Sequence, residues 1–380
     1  MTKNPKGSQE KLEHEDFIVH PEYKLPSTYK KNHKLIFSRV SLTTHEQNLF
    51  ALFLIQLQNI DWRPDARLEI KIPAHKLSEW LNIESKNIST TIKVIAKRLQ
   101  SRVIAIENAA DSTEFESHTL FPSVKYADRQ LSIIPNYELR EFFVDTSKGY
   151  ASINVMKLLR FNGRYTKTMY DILSRFKNPE NRMFKIDMET LKGIFGIIDG
   201  NGEPVSGKST LMDNTKFIEK VLVSSIAEIE QLCSEELIFF AGKDQTSRAP
   251  RQGITINRVG KLITSVTFEY LWIDQFIKQH PMDENTATDY ALHTENRERT
   301  KKEQITQEEL EKLAVAYYVI VTENPEDANS EKLRAQCVKI FERVFAFYRQ
   351  KAGARSLDVD VEPEKANLAK LSKLTQLLDL

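Results

Sequence analysis

LEIKIPAHKLSEWL, from Leu68 to Leu81, alternates apolar and polar side chains as far as Pro73 and then changes to the three- and four-residue spacing of a helix. Shifting by 114 positions reaches MFKIDMETLKGIF, Met183 to Phe195, with Ile72 over Ile186, Leu77 over Leu191, Trp80 over Ile194 and Leu81 over Phe195. Strand, cap, helix and inward face all recur, which is how an internal repeat shows itself. The flanks agree. SLTTHEQNLFALFLIQLQ precedes the first copy as a helix capped by Ser41 or Thr43, and GRYTKTMYDILSRFKN precedes the second. After the first copy comes a helix with Ile88, Ile92, Ile95 and Leu99 inward, then VIAI, FESHTLFPSVKY and RQLSII as strands. After the second comes NTKFIEKVLVSSIAEIEQLC with Ile218, Leu222, Ile226 and Ile229 inward, then LIFF and LITSVTFEYLW as a hairpin with RAPRQG at its tip.

The order predicts an α+β, mainly helical chain: two tandem, pseudo-symmetric winged helix-turn-helix domains plus a C-terminal helical extension. The expected divisions are a mobile arm over 1–32, a first winged unit over 33–146, a second over 147–282, a linker over 283–304 and helices over 305–380. The chain closes on ANLAKLSKLTQLLDL, an amphipathic stretch with Leu368, Leu371, Leu374 and Leu378 on one face.

With 380 residues and 41% hydrophobic content, the chain can fill several cores. Two cysteines, Cys233 and Cys337, exclude a disulfide scaffold and argue against a Cys-ligated metal; the eight histidines are scattered, so no metal or cofactor is expected. LFALFLIQL and LAVAYYVIV reach about half the roughly 20 residues of a membrane span, and no secretory h-region is readable at the N-terminus. The expectation is a cytoplasmic protein with no membrane association.

Net charge is +1, but it is unevenly spread. Pro281 to Leu380 carry 15 Lys and Arg against 19 Asp and Glu, leaving 39 against 34 before them. Ser85–Arg102 has five cations and no anion, Lys157–Ile186 eight against two, and Leu237–Leu262 five against one. Such segments suit a polyanion, although charge alone equally fits solvated helix faces. On the first third helix, Lys86, Thr90, Lys93 and Lys97 fall opposite the apolar face, a stripe sized for the roughly 12 Å major groove of DNA. In the second unit, Ser206, Lys208, Ser209, Asn214, Lys216 and Lys220 gather before and along the corresponding helix, and Lys243, Arg248, Arg251 and Arg258 decorate the wing.

GEPVSGKS, Gly202 to Ser209, also satisfies the phosphate-loop pattern, with Lys208 on the terminal phosphates and Ser209 on magnesium. That reading needs a strand before it and a helix after it, whereas IFGII continues a helix; a Gly-rich loop whose Lys208 meets a DNA phosphate is preferred. Tyr165 beside Arg160 and Arg164 lacks the further Arg and His residues of a tyrosine strand-transferase. The chain is therefore expected not to be an enzyme.

SLTTHEQNLFALFLIQ, INVMKLLRFNGRYTKTMYDILSRF and TKFIEKVLVSSIAEIEQ resemble segments of the iteron-binding replication initiators of theta-replicating plasmids, the Rep family with two winged helices. The likeness spans about Lys34 to Trp272. It implies that the second unit makes most base contacts, and that the first adds backbone contacts and the dimer interface. It also implies binding to double-stranded origin repeats, origin opening, autorepression as a dimer, and recruitment of a host initiator protein and the replicative helicase. A winged-helix transcription regulator is the alternative. The insertion from Asp199 to Thr210 and the helices beyond Asp283 depart from the family's pattern.

Overall fold

The computed structural model describes residues 16–19 and 24–358, apart from 38–41, 59, 61, 64–66, 109–110, 148, 182–184, 200–201, 245–250 and 325–329. It is a mixed helix and sheet protein. The first half runs β1 (Asp16–Val19), β2 (Thr28–Asn32), α1 (His33–Phe37), α2 (Thr44–Leu57), β3 (Arg67–Pro73), α3 (Ala74–Leu81), α4 (Ile88–Gln100), β4 (Val103–Asn108), β5 (Asp111–Thr119), β6 (Ser123–Ala127), β7 (Gln130–Ile134) and α5 (Arg140–Val144). Next come β8 (Tyr150–Asn154), α6 (Val155–Arg160), α7 (Arg164–Arg175), β9 (Lys185–Asp187), α8 (Met188–Ile194), α9 (Asn214–Phe217), a π-helical stretch (Ile218–Val223) and α10 (Ser224–Cys233). The chain continues through β10 (Leu237–Phe239), β11 (Ile254–Val259), β12 (Leu262–Phe268), β13 (Tyr270–Trp272), α11 (Asp274–Gln279), α12 (Glu284–Asn296), α13 (Gln307–Glu323) and α14 (Ser330–Asp358).

The strand that enters the helix pair joins the terminal hairpin in both places. β3 pairs antiparallel with β7, which pairs with β6; β9 pairs antiparallel with β12, which pairs with β11. The hairpin turns differ. Asp128 and Arg129 both have positive φ, as a two-residue type I′ turn requires, whereas at the second turn only Gly260 does (φ 61°).

Local chemistry accounts for the helices. Thr43 accepts from the Glu46 amide and Glu46 Oε2 accepts from the Thr43 amide, closing a capping box at α2. Glu46 is fully buried and also takes the Arg102 guanidinium at 2.9 Å, which pins the end of α4 to the start of α2. At α7, the Glu228 carboxylate accepts from the Asn162 and Gly163 amides, and a Cβ at Gly163 would stand 2.8 Å from it.

One buried apolar cluster runs from Tyr29 to Trp272 through both sets of elements. A second joins α11–α14 to the back of β10 and β13. The β10–β13 pair is the wall between them: Leu237, Phe239, Tyr270 and Trp272 enter the first cluster, Phe240, Leu271 and Ile273 the second. Alternation puts successive side chains on opposite faces, so a strand apolar throughout must be covered on both sides. Phe345 of α14 stacks on Phe240 with ring centroids 4.3 Å apart.

Several expectations are corrected here. LIFF is this internal wall; the second hairpin is β11–β12, with its turn at Gly260 and Lys261 and not at RAPRQG. FESHT pairs with VIAIEN as a separate β4–β5 hairpin, and SVKYA alone pairs with QLSII. Within the expected mobile arm, β1 pairs parallel with β3 and β2 antiparallel with β8. The expected linker over 283–304 carries α12, whose Ala287, Ala291 and Thr294 are buried beside α13. Leu368, Leu371, Leu374 and Leu378 lie outside the described residues. Replacing Glu46 by Ala removes a cap and leaves Arg102 without its carboxylate, which should cost about 2–4 kcal/mol in a denaturant unfolding titration. An Ala variant within about 0.5 kcal/mol of wild type would contradict this role.

Candidate nucleic-acid interface

Asn82 adopts the left-handed conformation (φ 51°) that ends α3, and its amide returns to Ser78 and Glu79 carbonyls. The chain then turns through the exposed Lys86 into α4, where Ile88, Ile92, Ile95 and Leu99 are buried and Thr90, Lys93, Lys97 and Arg98 exposed. Thr90, Lys93 and Lys97 thus lie on the exposed side of α4, with Lys86 in the turn before it. Lys86 meets Glu84 at 2.9 Å, but both are well exposed and such a pair is screened by salt. Thr90 donates to the Asn87 carbonyl.

In the second unit, the Asp213 carboxylate caps α9 by accepting from the Lys216 amide at 2.8 Å. Phe217, Ile218, Val221, Leu222, Ile226 and Ile229 are buried, and Lys216 and Lys220 stand exposed at the four-residue spacing of one helix face. Asn214 serves another purpose: its side-chain amide donates to the Ile263 carbonyl at 2.8 Å and ties the helix start to β12. Ser206 and Ser209 are exposed on the preceding turn.

Lys208 is the clearest correction. It is 7% exposed, and its ammonium donates to the Gly196 carbonyl, inside the loop. Burial first, and then the Arg164 and Arg102 charges, pull its pKa down to about 8. The ammonium is thus turned to the loop's own backbone and not to solvent. Hydrogen bonds cross the loop around it: the Asp199 amide donates to the Glu203 carbonyl, the Val205 amide to that of Ile197, and Lys192 reaches the Met212 carbonyl at 2.5 Å. It lies between α8 and a 3-10 turn over Ser209–Met212, not between the strand and helix of a phosphate loop.

The wing cations divide. Arg251 and Arg258 both grip Asp244, at 3.0 Å each, and Arg251 also holds Glu219 at 2.8 Å. These guanidiniums brace the hairpin base against the helix. Lys243 is exposed, and Arg248 falls outside the described residues. Sequence reading missed the hairpin end, where Val259 and Leu262 flank Gly260 and Lys261. The signal was present: ITINRV and LITSVTF are alternating runs parted by Gly-Lys, a two-residue hairpin connection.

β2 and α1 are tied to α7. Lys31 of β2 meets Asp171 of α7 at 2.6 Å, and Arg175 Nε donates to His33 Nδ1 at 2.7 Å. Burial and the Arg175 charge hold His33 down at about 4, so it accepts that bond as a neutral ring at physiological pH. Lys167, wholly buried, donates to the Leu158 carbonyl, and burial lowers its pKa to about 8. Among the described residues no group of three or more His, Cys, Asp or Glu could hold a metal, and no helix is long and apolar enough to cross a membrane.

Residues 28–174 match the family model of the initiator replication proteins, WH1, a stretch running from β2 to the end of α7. No curated protein matches the chain. Among solved structures, the crystal structure of Pi initiator protein in complex with iteron DNA is similar, at 16% identity and a TM-score of 0.48 over 66% of this chain and 98% of that one.

Because the buried ammonium of Lys208 titrates near 8 when folded and near its ordinary value of 10.5 when unfolded, the unfolded chain binds more protons between those values. The unfolding free energy of wild type should therefore rise relative to Lys208→Met as pH goes from 8 toward 10. Chemical denaturation of both proteins across that window checks it, and a flat difference would place the amine in water.

Proposed function

We propose that this chain is a replication initiator that binds repeated origin sequences in double-stranded DNA. The match of residues 28–174 to the initiator family carries this reading. The exposed cations of α4 and of the α9 helix support it, because each follows a strand-helix-turn arrangement suited to the major groove. In this account the two winged units, over about 33–146 and 147–282, act as a tandem, pseudo-symmetric pair reading groove segments about one helical turn apart. Lys86, Thr90, Lys93 and Lys97 serve the first unit; Lys216 and Lys220, with Ser206, Ser209 and Lys243 on phosphates, serve the second. Binding and duplex distortion do the work without covalent chemistry. Opening of the origin, recruitment of a host initiator and replicative helicase, and autorepression by a dimer built on the first unit complete the proposal.

Maintenance of an origin plasmid with and without this gene tests it directly. Loss of the plasmid without the gene is the expected result. Retention, together with a changed transcript level from a bound promoter, would instead make the protein a transcription regulator. Contact with six to ten phosphates should lower affinity roughly 10³- to 10⁵-fold between 50 and 200 mM salt in a gel-shift series. Replacing Lys216 or Lys220 with Ala should cost about 1–3 kcal/mol on the cognate repeat and less on random duplex. Equal loss on both would make these lysines phosphate anchors.

A further inference from the structure

Val259 and Leu262 are 70% and 73% exposed, the two most exposed large apolar side chains among the described residues. They are directly opposite each other across the β11–β12 turn, so both project from one face of the hairpin end. Folding gains nothing from placing them there. The corresponding pair at the first hairpin, beside Asp128 and Arg129, is Ala127 and Gln130, so the same turn position does not by itself call for large apolar groups.

Side-chain hydrogen bonds tie the hairpin end together and to Asp244. Arg258 Nη1 donates to the Lys261 carbonyl at 3.2 Å while its Nε holds Asp244, and Thr264 donates to Asn257. Nothing lies within 4 Å of where a Gly260 Cβ would point, and residues 259–262 are all exposed. It also sits at the start of the helix bearing Lys216 and Lys220, because Asn214 donates to the carbonyl of Ile263, the residue after Leu262. Among the acids nearby, Asp244 and Glu219 are taken by Arg251, and Asp213 is taken by the α9 cap. Lys261 remains exposed between the two apolar side chains.

From this geometry we infer that Val259 and Leu262 form a wedge that enters the minor groove of bound duplex and unstacks one base step, with Lys261 on the flanking phosphate. The inference rests on the proposed DNA-binding reading and adds the device that distorts the duplex. A patch of two side chains is far below the roughly 1,200 Å² of total surface that a stable protein interface buries, and cations border it. Apolar residues inserted between base steps are a recurrent means of kinking DNA from the minor groove. That groove is about 6 Å wide, so a two-stranded hairpin end seats only where the groove opens, which couples insertion to distortion.

The test uses the full chain and 30-base-pair duplexes selected by it from a randomised pool, with 2-aminopurine replacing successive adenines. Wild type is expected to raise the fluorescence at one step. The Val259→Ser, Leu262→Ser double variant, whose thermal unfolding should match wild type, is expected to bind roughly tenfold more weakly and raise none. Val259→Ile with Leu262→Ile is expected to restore the signal. A Ser variant that binds and unstacks like wild type overturns the wedge, and so does one that loses self-association in a sedimentation run while unstacking normally; both outcomes leave DNA binding intact. Failure of wild type to select any duplex overturns the DNA-binding reading and the wedge together.

Discussion

Burial of α7 on nearly every side is the constraint on which the arrangement depends. Thr166, Lys167, Met169, Tyr170, Asp171, Ile172, Leu173 and Ser174 are all buried, so no side of its last two turns is free to slide. Polar groups in such a position are costly unless paired, and their partners come from distant parts of the chain. Asp171, whose carboxyl is raised by burial, is drawn back toward the charged form by Lys31. The Trp272 indole donates to the Leu173 carbonyl at 3.0 Å. One helix thereby fixes the N-terminal strand, the second unit and the wall behind it. A protein that reads two groove segments at a set separation needs such a joint, because a loose connection would spend binding energy on ordering it.

The β10–β13 wall extends that rigidity into the C-terminal helices. Because Phe240, Leu271 and Ile273 face away from the first cluster, the second unit presents an apolar back that α11–α14 cover. The C-terminal helices are thus packed on the back of β10 and β13. The cations assigned to DNA are carried by the helices and the hairpin, not by this wall.

Much of the fold was legible because short-range periodicity carries it. The pairs Ile72 with Ile186 and Leu77 with Leu191 are all essentially fully buried. What failed depended on long-range partners. LIFF looks like a wing strand by composition, and only its double burial shows otherwise. ENTATDYALHTEN reads as a linker because its inward residues are the small Ala287, Ala291 and Thr294, which give little periodic signal until α13 lies against them. Lys31 gives no hint in the sequence of its bond to a carboxylate 140 positions away. At the candidate interface, the exposure of Thr90, Lys93 and Lys97 on α4 and of Lys216 and Lys220 followed from helical spacing. Lys208 did not: a lysine between glycine and serine looks exposed, and only the turn that returns it to Gly196 buries it. Arg251 and Arg258 were read as free cations because Asp244, their shared partner, carried no mark of its burial.

The proposed function requires two groove-reading units held at a fixed separation on one face of the molecule. Hydroxyl-radical and methylation protection of a selected duplex by the full chain measures that separation most directly. Two protected major-groove segments centred about 10 base pairs apart on the same side of the helix are the predicted result. A single protected segment, or two on opposite sides of the duplex, would contradict it.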